Sequence, residues 1–162
     1  SLAQLRAALP DGQAEASMAA TYRQMVLTRT AEHGRVLRAL AGGEVPALLH
    51  CAAGKDRAGL TVALVLLAVG VERDAITADY LKSNAPHRRY LVWRSPGVDG
   101  DGVPAEALEL LAPLFDARVE YLHAAFGQID RTWGGVDRYL SEGLGLTPAE
   151  RERLRGHLLA PR

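Results

Sequence analysis

Cys51 and Arg57 stand with five residues between them in the run His50-Cys51-Ala52-Ala53-Gly54-Lys55-Asp56-Arg57, a spacing suited to holding a phosphate ester against a thiolate. A five-residue loop can curl round a tetrahedral dianion with its backbone N–H groups pointing inward, and Gly54 supplies the conformational freedom that such a concavity needs. Ala52, Ala53, Gly54 and Lys55 then provide the lining of the cup. Arg57 returns over the anion with its planar fork and clamps two phosphate oxygens. Cys51 lies at the floor, where the inward amides, the dipole of a following helix and Arg57 all favour thiolate over thiol. Its pKa is therefore expected well below the free value of about 8.5. A thiolate in line with a phosphate monoester is a nucleophile, and the product of its attack is a phosphocysteine. The competing reading, an inert buried thiol, is a common role for a lone cysteine.

The flanks weigh against that inert reading. Pro46-Ala47-Leu48-Leu49, after the Ala41-Gly42-Gly43 break, reads as a short buried strand, and Leu60 to Val69 is apolar nearly all round, as in a central helix. Strand, tight loop and helix in that order place the loop at the carboxyl end of a parallel sheet, where ligands of open α/β sheets bind. The expected fold class is α/β, a parallel sheet flanked by helices, mostly helical in the part present.

Two further loop residues have two readings each. Asp56, beside the cup, is placed to protonate the leaving oxygen and later to activate water, or else serves as a structural partner for Arg57 or a loop amide. Lys55 meets a phosphate or a second anionic group of the substrate, or is a solvated lysine at the rim. His33, His87, His123 and His157 have no partners at catalytic spacing and read as surface or helix-face residues.

The string His50-Cys51-Ala52-Ala53-Gly54-Lys55-Asp56-Arg57-Ala58-Gly59 resembles the signature loop of the bacterial tyrosine/serine protein phosphatases, a family that includes a secreted mycobacterial tyrosine phosphatase. The run from Ala78 to Asn84 is similar to that family too, as are Tyr121-Leu122 and Tyr139-Leu140, so the resemblance covers roughly residues 20–160. It implies a cysteine-phosphatase-like sheet and phosphomonoester hydrolysis without a metal or other cofactor. The substrate it implies is a phosphotyrosine protein, with dual specificity toward phosphoserine and phosphothreonine open; phosphoinositides are the alternative substrate. It also implies that His50 orders the loop by hydrogen bonds, and that residues 86–116 form a lid over the cup; an ordinary surface helix is the other reading of that segment.

Two departures from the family pattern stand out. The family's Thr or Ser after the loop arginine, whose hydroxyl stabilises the departing thiolate, is here Ala58, which keeps a non-catalytic phosphate-binding pseudophosphatase in play. The family's opening Asn-Phe-Arg-Asp-Leu-Gly-Gly segment has no counterpart, so the chain is expected to be an N-terminally incomplete single phosphatase domain, residues 1–162.

Composition sets the remaining bounds. With 162 residues, 48% hydrophobic and 23% charged, the chain is long enough to bury a core. Nineteen basic and nineteen acidic side chains balance, so nothing points to nucleic acid or an anionic membrane. One cysteine excludes an intrachain disulfide and a cysteine-based zinc cluster, and Leu60 to Val69 is too short for an integral membrane segment. A cytoplasmic setting is expected, with export open.

The positioning elements are helical. Met18, Tyr22, Met25, Val26, Val36, Leu37 and Leu40 make a stripe over residues 14–40, with Gly34 as the expected kink or division. A helix over Arg73 to Ser83 should bury Ile76, Tyr80 and Leu81. Val119, Leu122, Phe126 and Ile129 mark another, stopped by Gly134-Gly135. Thr147, Pro148 and Glu150 form a capping box for the last.

Overall fold

A helix that is apolar nearly all round calls for burial on most of its faces, and α4 (Asp56–Val69) has it: Leu60, Ala63, Leu64, Leu67 and Ala68 are all within the core, while Val62 and Leu66 are half-buried. The structure, a computed structural model, describes residues 2–10, 12–85 and 105–159. Around α4 stand α1 (Leu2–Ala8), α2 (Gln13–Thr28), α3 (Thr30–Ala41), α5 (Arg73–Leu81), α6 (Ala105–Phe115), α7 (Val119–Trp133), the short α8 (Val136–Arg138) and α9 (Pro148–Leu158). A 3-10 turn (Lys82–Asn84) continues α5, and a π-helical turn (Tyr139–Gly143) continues α8.

Packing follows the apolar stripes. α2 lies along α7, joining Tyr22 and Val26 to Tyr121, Leu122, Ala125 and Ile129, while α9 crosses α3 and α4 and buries Leu154. α5 packs on α4 and α7, and α6 packs on α2 and α1. The carboxyl end of α4 is closed by arginines of α9. Arg151 Nε donates to Ala68 O at 2.9 Å and Arg155 Nη1 donates to Val69 O at 2.7 Å, while Gly70 leaves the helix in the left-handed region. The capping box at Thr147 and Glu150 is formed, with Pro148 in the first turn. Asn84 clamps the backbone of Ala117 from both sides, donating to its carbonyl and accepting from its amide at 2.7 Å each. That clamp ties the end of α5 to the chain between α6 and α7.

Three expectations need correction. The 14–40 stripe divides at Arg29, not at Gly34. Gly34 stays inside α3, where a Cβ would collide with the carbonyl of Leu144, so the glycine serves a close approach between elements. The helix from Arg73 ends at Leu81, with Ile76 and Tyr80 buried as expected. The third concerns residues 46–49, expected as a short buried strand. Residues 46–49 take up no strand pairing, no strand occurs among the described residues, and Leu48 is 86% exposed. An extended segment becomes a strand only when a neighbour accepts its ladder hydrogen bonds, and none of the described elements does so. Of the lid segment 86–116, residues 86–104 lie outside the described residues; 105–115 form α6.

Candidate active site

The loop between the extended segment and α4 builds the site. Gly54 has φ 68°, a left-handed conformation that admits glycine readily and most other residues at a cost. Lys55, the residue preceding α4, makes no side-chain cap, so the first N–H groups of the helix are free to serve another acceptor. One of them, the N–H of Ala58, serves sulfur. Burial pushes the Cys51 thiol up, but the backbone N–H groups of Ala58, Gly54, Ala53 and Lys55 all stabilise its thiolate and together hold its pKa below the ordinary value. The sulfur of Cys51 thus occupies the anion position at the amino end of a 14-residue helix.

The other predicted residues fall as follows. Cys51 and Gly54 are half-buried, Ala52, Ala53 and His50 are exposed, and Arg57 is exposed in the first turn of α4. Lys55 is buried at 5% exposure. Its ammonium donates to Asp56 Oδ1 at 2.7 Å and to the carbonyls of Leu114 and Asp116 at 3.2 Å each, which occupies all three of its N–H bonds. It therefore caps the carboxyl end of α6 and offers no further proton to a ligand. Asp56 Oδ1 accepts a second bond, 2.8 Å from the hydroxyl of Tyr22, so a proton in transit would have to use Oδ2. Beside the loop, between α4 and α5, a groove of about 510 Å3 is lined by Gly54, Ala58, Val62, Leu66, Ile76 and Tyr80.

Sequence reasoning missed Tyr22 and Tyr80. Tyr22 is wholly buried, and its hydroxyl lies 2.6 Å from that of Tyr80. Burial first, and then the neighbouring oxygens of Tyr80 and Asp56, push the Tyr22 phenol far above its usual range, so it stays a donor. The only signal in the sequence was a tyrosine, with a polar tip, in each of two otherwise apolar stripes. Among the described residues no group of three His, Cys, Asp or Glu side chains converges to hold a metal, and no helix is long and apolar enough to cross a membrane.

Comparison with known proteins agrees with this geometry. The model of the tyrosine phosphatase family matches residues 2–160. A Cupriavidus necator protein named as a tyrosine-protein phosphatase is 37% identical over 156 residues, covering 96% of this chain and 54% of the relative. The triple specificity protein phosphatase PtpB of Mycobacterium tuberculosis is 42% identical, covering 85% of this chain and 53% of the relative. The chain thus spans about half the length of these curated relatives. The match across nearly all of its residues places this chain in the tyrosine phosphatase family.

Proposed function

We propose that this chain is the core of a cysteine-dependent protein-tyrosine phosphatase that hydrolyses phosphomonoesters through a phosphocysteine. The observation that carries the reading is the convergence of four backbone N–H groups on the sulfur of Cys51. In the first step the thiolate attacks phosphorus, the S–P bond forms and the bond from phosphorus to the aryl oxygen breaks. Arg57 and the loop amides hold the equatorial oxygens, where charge gathers in the transition state. Asp56, through Oδ2, or another acid gives the leaving oxygen its proton. In the second step water attacks phosphorus, its proton passes to the same carboxylate, the S–P bond breaks and thiolate is restored.

Phosphotyrosine protein is the proposed substrate, in keeping with the tyrosine phosphatase family, with phosphoserine and phosphothreonine as further candidates. The pseudophosphatase alternative rests on the hydroxyl that Ala58 lacks; the backbone N–H of residue 58 reaches the sulfur whatever its side chain, so turnover of an aryl phosphate separates the two readings. A second anionic group on the substrate, as in a phosphoinositide, would not find a free donor in Lys55.

The test is a pair of measurements on Cys51→Ser. That variant keeps the amides and Arg57, so it should retain vanadate binding and lose aryl phosphate turnover. Wild-type hydrolysis by the serine variant would refute the mechanism, and a panel of phosphopeptides and phosphoinositides would sort the substrate classes.

A further inference from the structure

Two tyrosines distant from the loop in sequence are built into its support. Tyr22 on α2 donates to Asp56 Oδ1 at 2.8 Å, and its oxygen lies 2.6 Å from that of Tyr80 on α5. Because the proton of Tyr22 is committed to the carboxylate, Tyr80 must be the donor of the pair. The chain therefore runs one way, from Tyr80 to Tyr22 to Asp56. Lys55 donates to the same carboxylate oxygen at 2.7 Å and extends the network to Leu114 and Asp116 beyond it. Helices α2, α5 and α6 and the residue that follows α6 thus hold the side chains of two consecutive residues.

Those two residues are the cap and the first residue of α4, and the backbone N–H groups of Lys55 and Ala58 stabilise the sulfur of Cys51. Side chains anchored outward and amides aimed at the nucleophile belong to the same short stretch of backbone. We propose that Tyr22 and Tyr80 are positioning residues: through Asp56 and Lys55 they fix the start of α4 so that its N–H donors stay converged on Cys51 Sγ. Ring packing alone does not require two phenols. The edge-to-face contact of the rings, with centroids 6.2 Å apart, would survive in phenylalanine, so the hydroxyls serve the polar chain. A buried network that is only partly satisfied costs more than its single bonds suggest, and loss of the Tyr22 hydroxyl leaves the Tyr80 hydroxyl without its acceptor.

The inference rests on reading Cys51 as the nucleophile, and its test works without turnover. Cys51 is the sole thiol, so alkylation by iodoacetamide read by intact mass reports on that sulfur alone. The rate is followed against pH for wild type, Tyr22→Phe, Tyr80→Phe and, as a control for lost stability, Tyr139→Phe, whose buried hydroxyl donates, among the described residues, to the carbonyl of Val26 at 3.4 Å. Among the described residues the charged and titratable groups bearing on the loop are His50, Lys55, Asp56 and Arg57 within it, Tyr22 on α2, Asp79, Tyr80 and Lys82 on and just after α5, and Asp116 and Arg118 after α6; the control alters none of them.

The expected result is an alkylation midpoint at higher pH in Tyr22→Phe, with the rate below that midpoint roughly three- to tenfold lower, the range for weakening one hydrogen bond to a charged group. Tyr80→Phe shifts it the same way by less, and Tyr139→Phe keeps the wild-type midpoint. A folded Tyr22→Phe with the wild-type midpoint, or an equal shift in Tyr139→Phe, overturns the proposal. Should Tyr22→Phe fail to fold, Tyr80→Phe decides by the same criterion, because it leaves the bond from Tyr22 to Asp56 in place. Failure of the phosphatase reading would look different: no phosphocysteine in the wild-type chain, whatever the alkylation midpoints.

Discussion

Lys55→Met keeps the length and most of the bulk of the side chain and removes only the ammonium. In the structure that ammonium is buried and gives bonds to Asp56 Oδ1 at 2.7 Å and to two carbonyls at the end of α6 at 3.2 Å. Stranding one partner of a fully buried ion pair costs about 3–5 kcal/mol. Here the Asp56 side chain is 27% exposed, so water takes over part of the lost bond and the pair contributes below that range, about 1–2 kcal/mol. The two carbonyls lose a charged donor and add roughly 0.5–1 kcal/mol each, since 3.2 Å is long for such a bond. The sum is about 3 kcal/mol. For a domain of this size each kcal/mol moves the midpoint by about 2–4 °C, so Tm should fall by roughly 6–12 °C with the urea m-value unchanged. A solvated rim lysine would give a change within about 0.5 kcal/mol. A substrate-binding lysine would raise KM with stability intact. Either of those results would refute the buried tether.

Three more outcomes are expected. Ala58 borders the groove beside the loop, which leaves room for a larger side chain, so Ala58→Thr should add one hydroxyl bond to the departing thiolate and raise kcat by roughly tenfold with less change in kcat/KM; rapid-mixing kinetics on an aryl phosphate checks it, and an unchanged kcat would mean the backbone donors already suffice. Peroxide should inactivate the enzyme through Cys51, which has no second cysteine to resolve it, and vanadate or phosphate should slow that loss; equal rates with and without the oxyanion would place the thiolate outside the phosphate site. His33 is buried, its Nδ1 has no hydrogen-bond partner among the described residues, and burial holds its imidazole below the usual 6.5. The unfolded chain then binds the extra proton first, so the stability tied to neutral His33 is fully present above pH 6.5 and is lost as pH falls below it; His33→Leu should flatten the urea midpoint between pH 7 and pH 5, and an unchanged slope would contradict this.

The loop and the helix after it were legible because their signals are local. A five-residue spacing, a glycine at the turn and an unbroken apolar run are visible in one short window, as is the capping box at Thr147. The division at Arg29 was not legible, since no glycine or proline marks it, and Gly34, which looked like a breaker, answers instead to Leu144 across the fold. Asp56 and Lys55 were recognised by position but not by environment. Their partners lie 34 residues back at Tyr22 and about 60 ahead at Leu114 and Asp116, and only the tertiary packing of α2 and α6 brings them together. Tyr80 read as one more apolar position of α5 because its hydroxyl acts at the end of a chain that begins in another helix. Residues 46–49 have strand composition, yet a strand is a property of a pair, and among the described residues the second member is missing.

The covalent intermediate tests the proposed chemistry most directly. The protein is mixed with excess aryl phosphate, quenched in denaturant within milliseconds, digested and read by mass. The peptide containing Cys51 should carry one phosphoryl group, formed with a burst of the aryl alcohol, and the Cys51→Ser protein should show neither. A burst without phosphorylation of Cys51, or a phosphoryl group on any other residue, would contradict the thiolate mechanism.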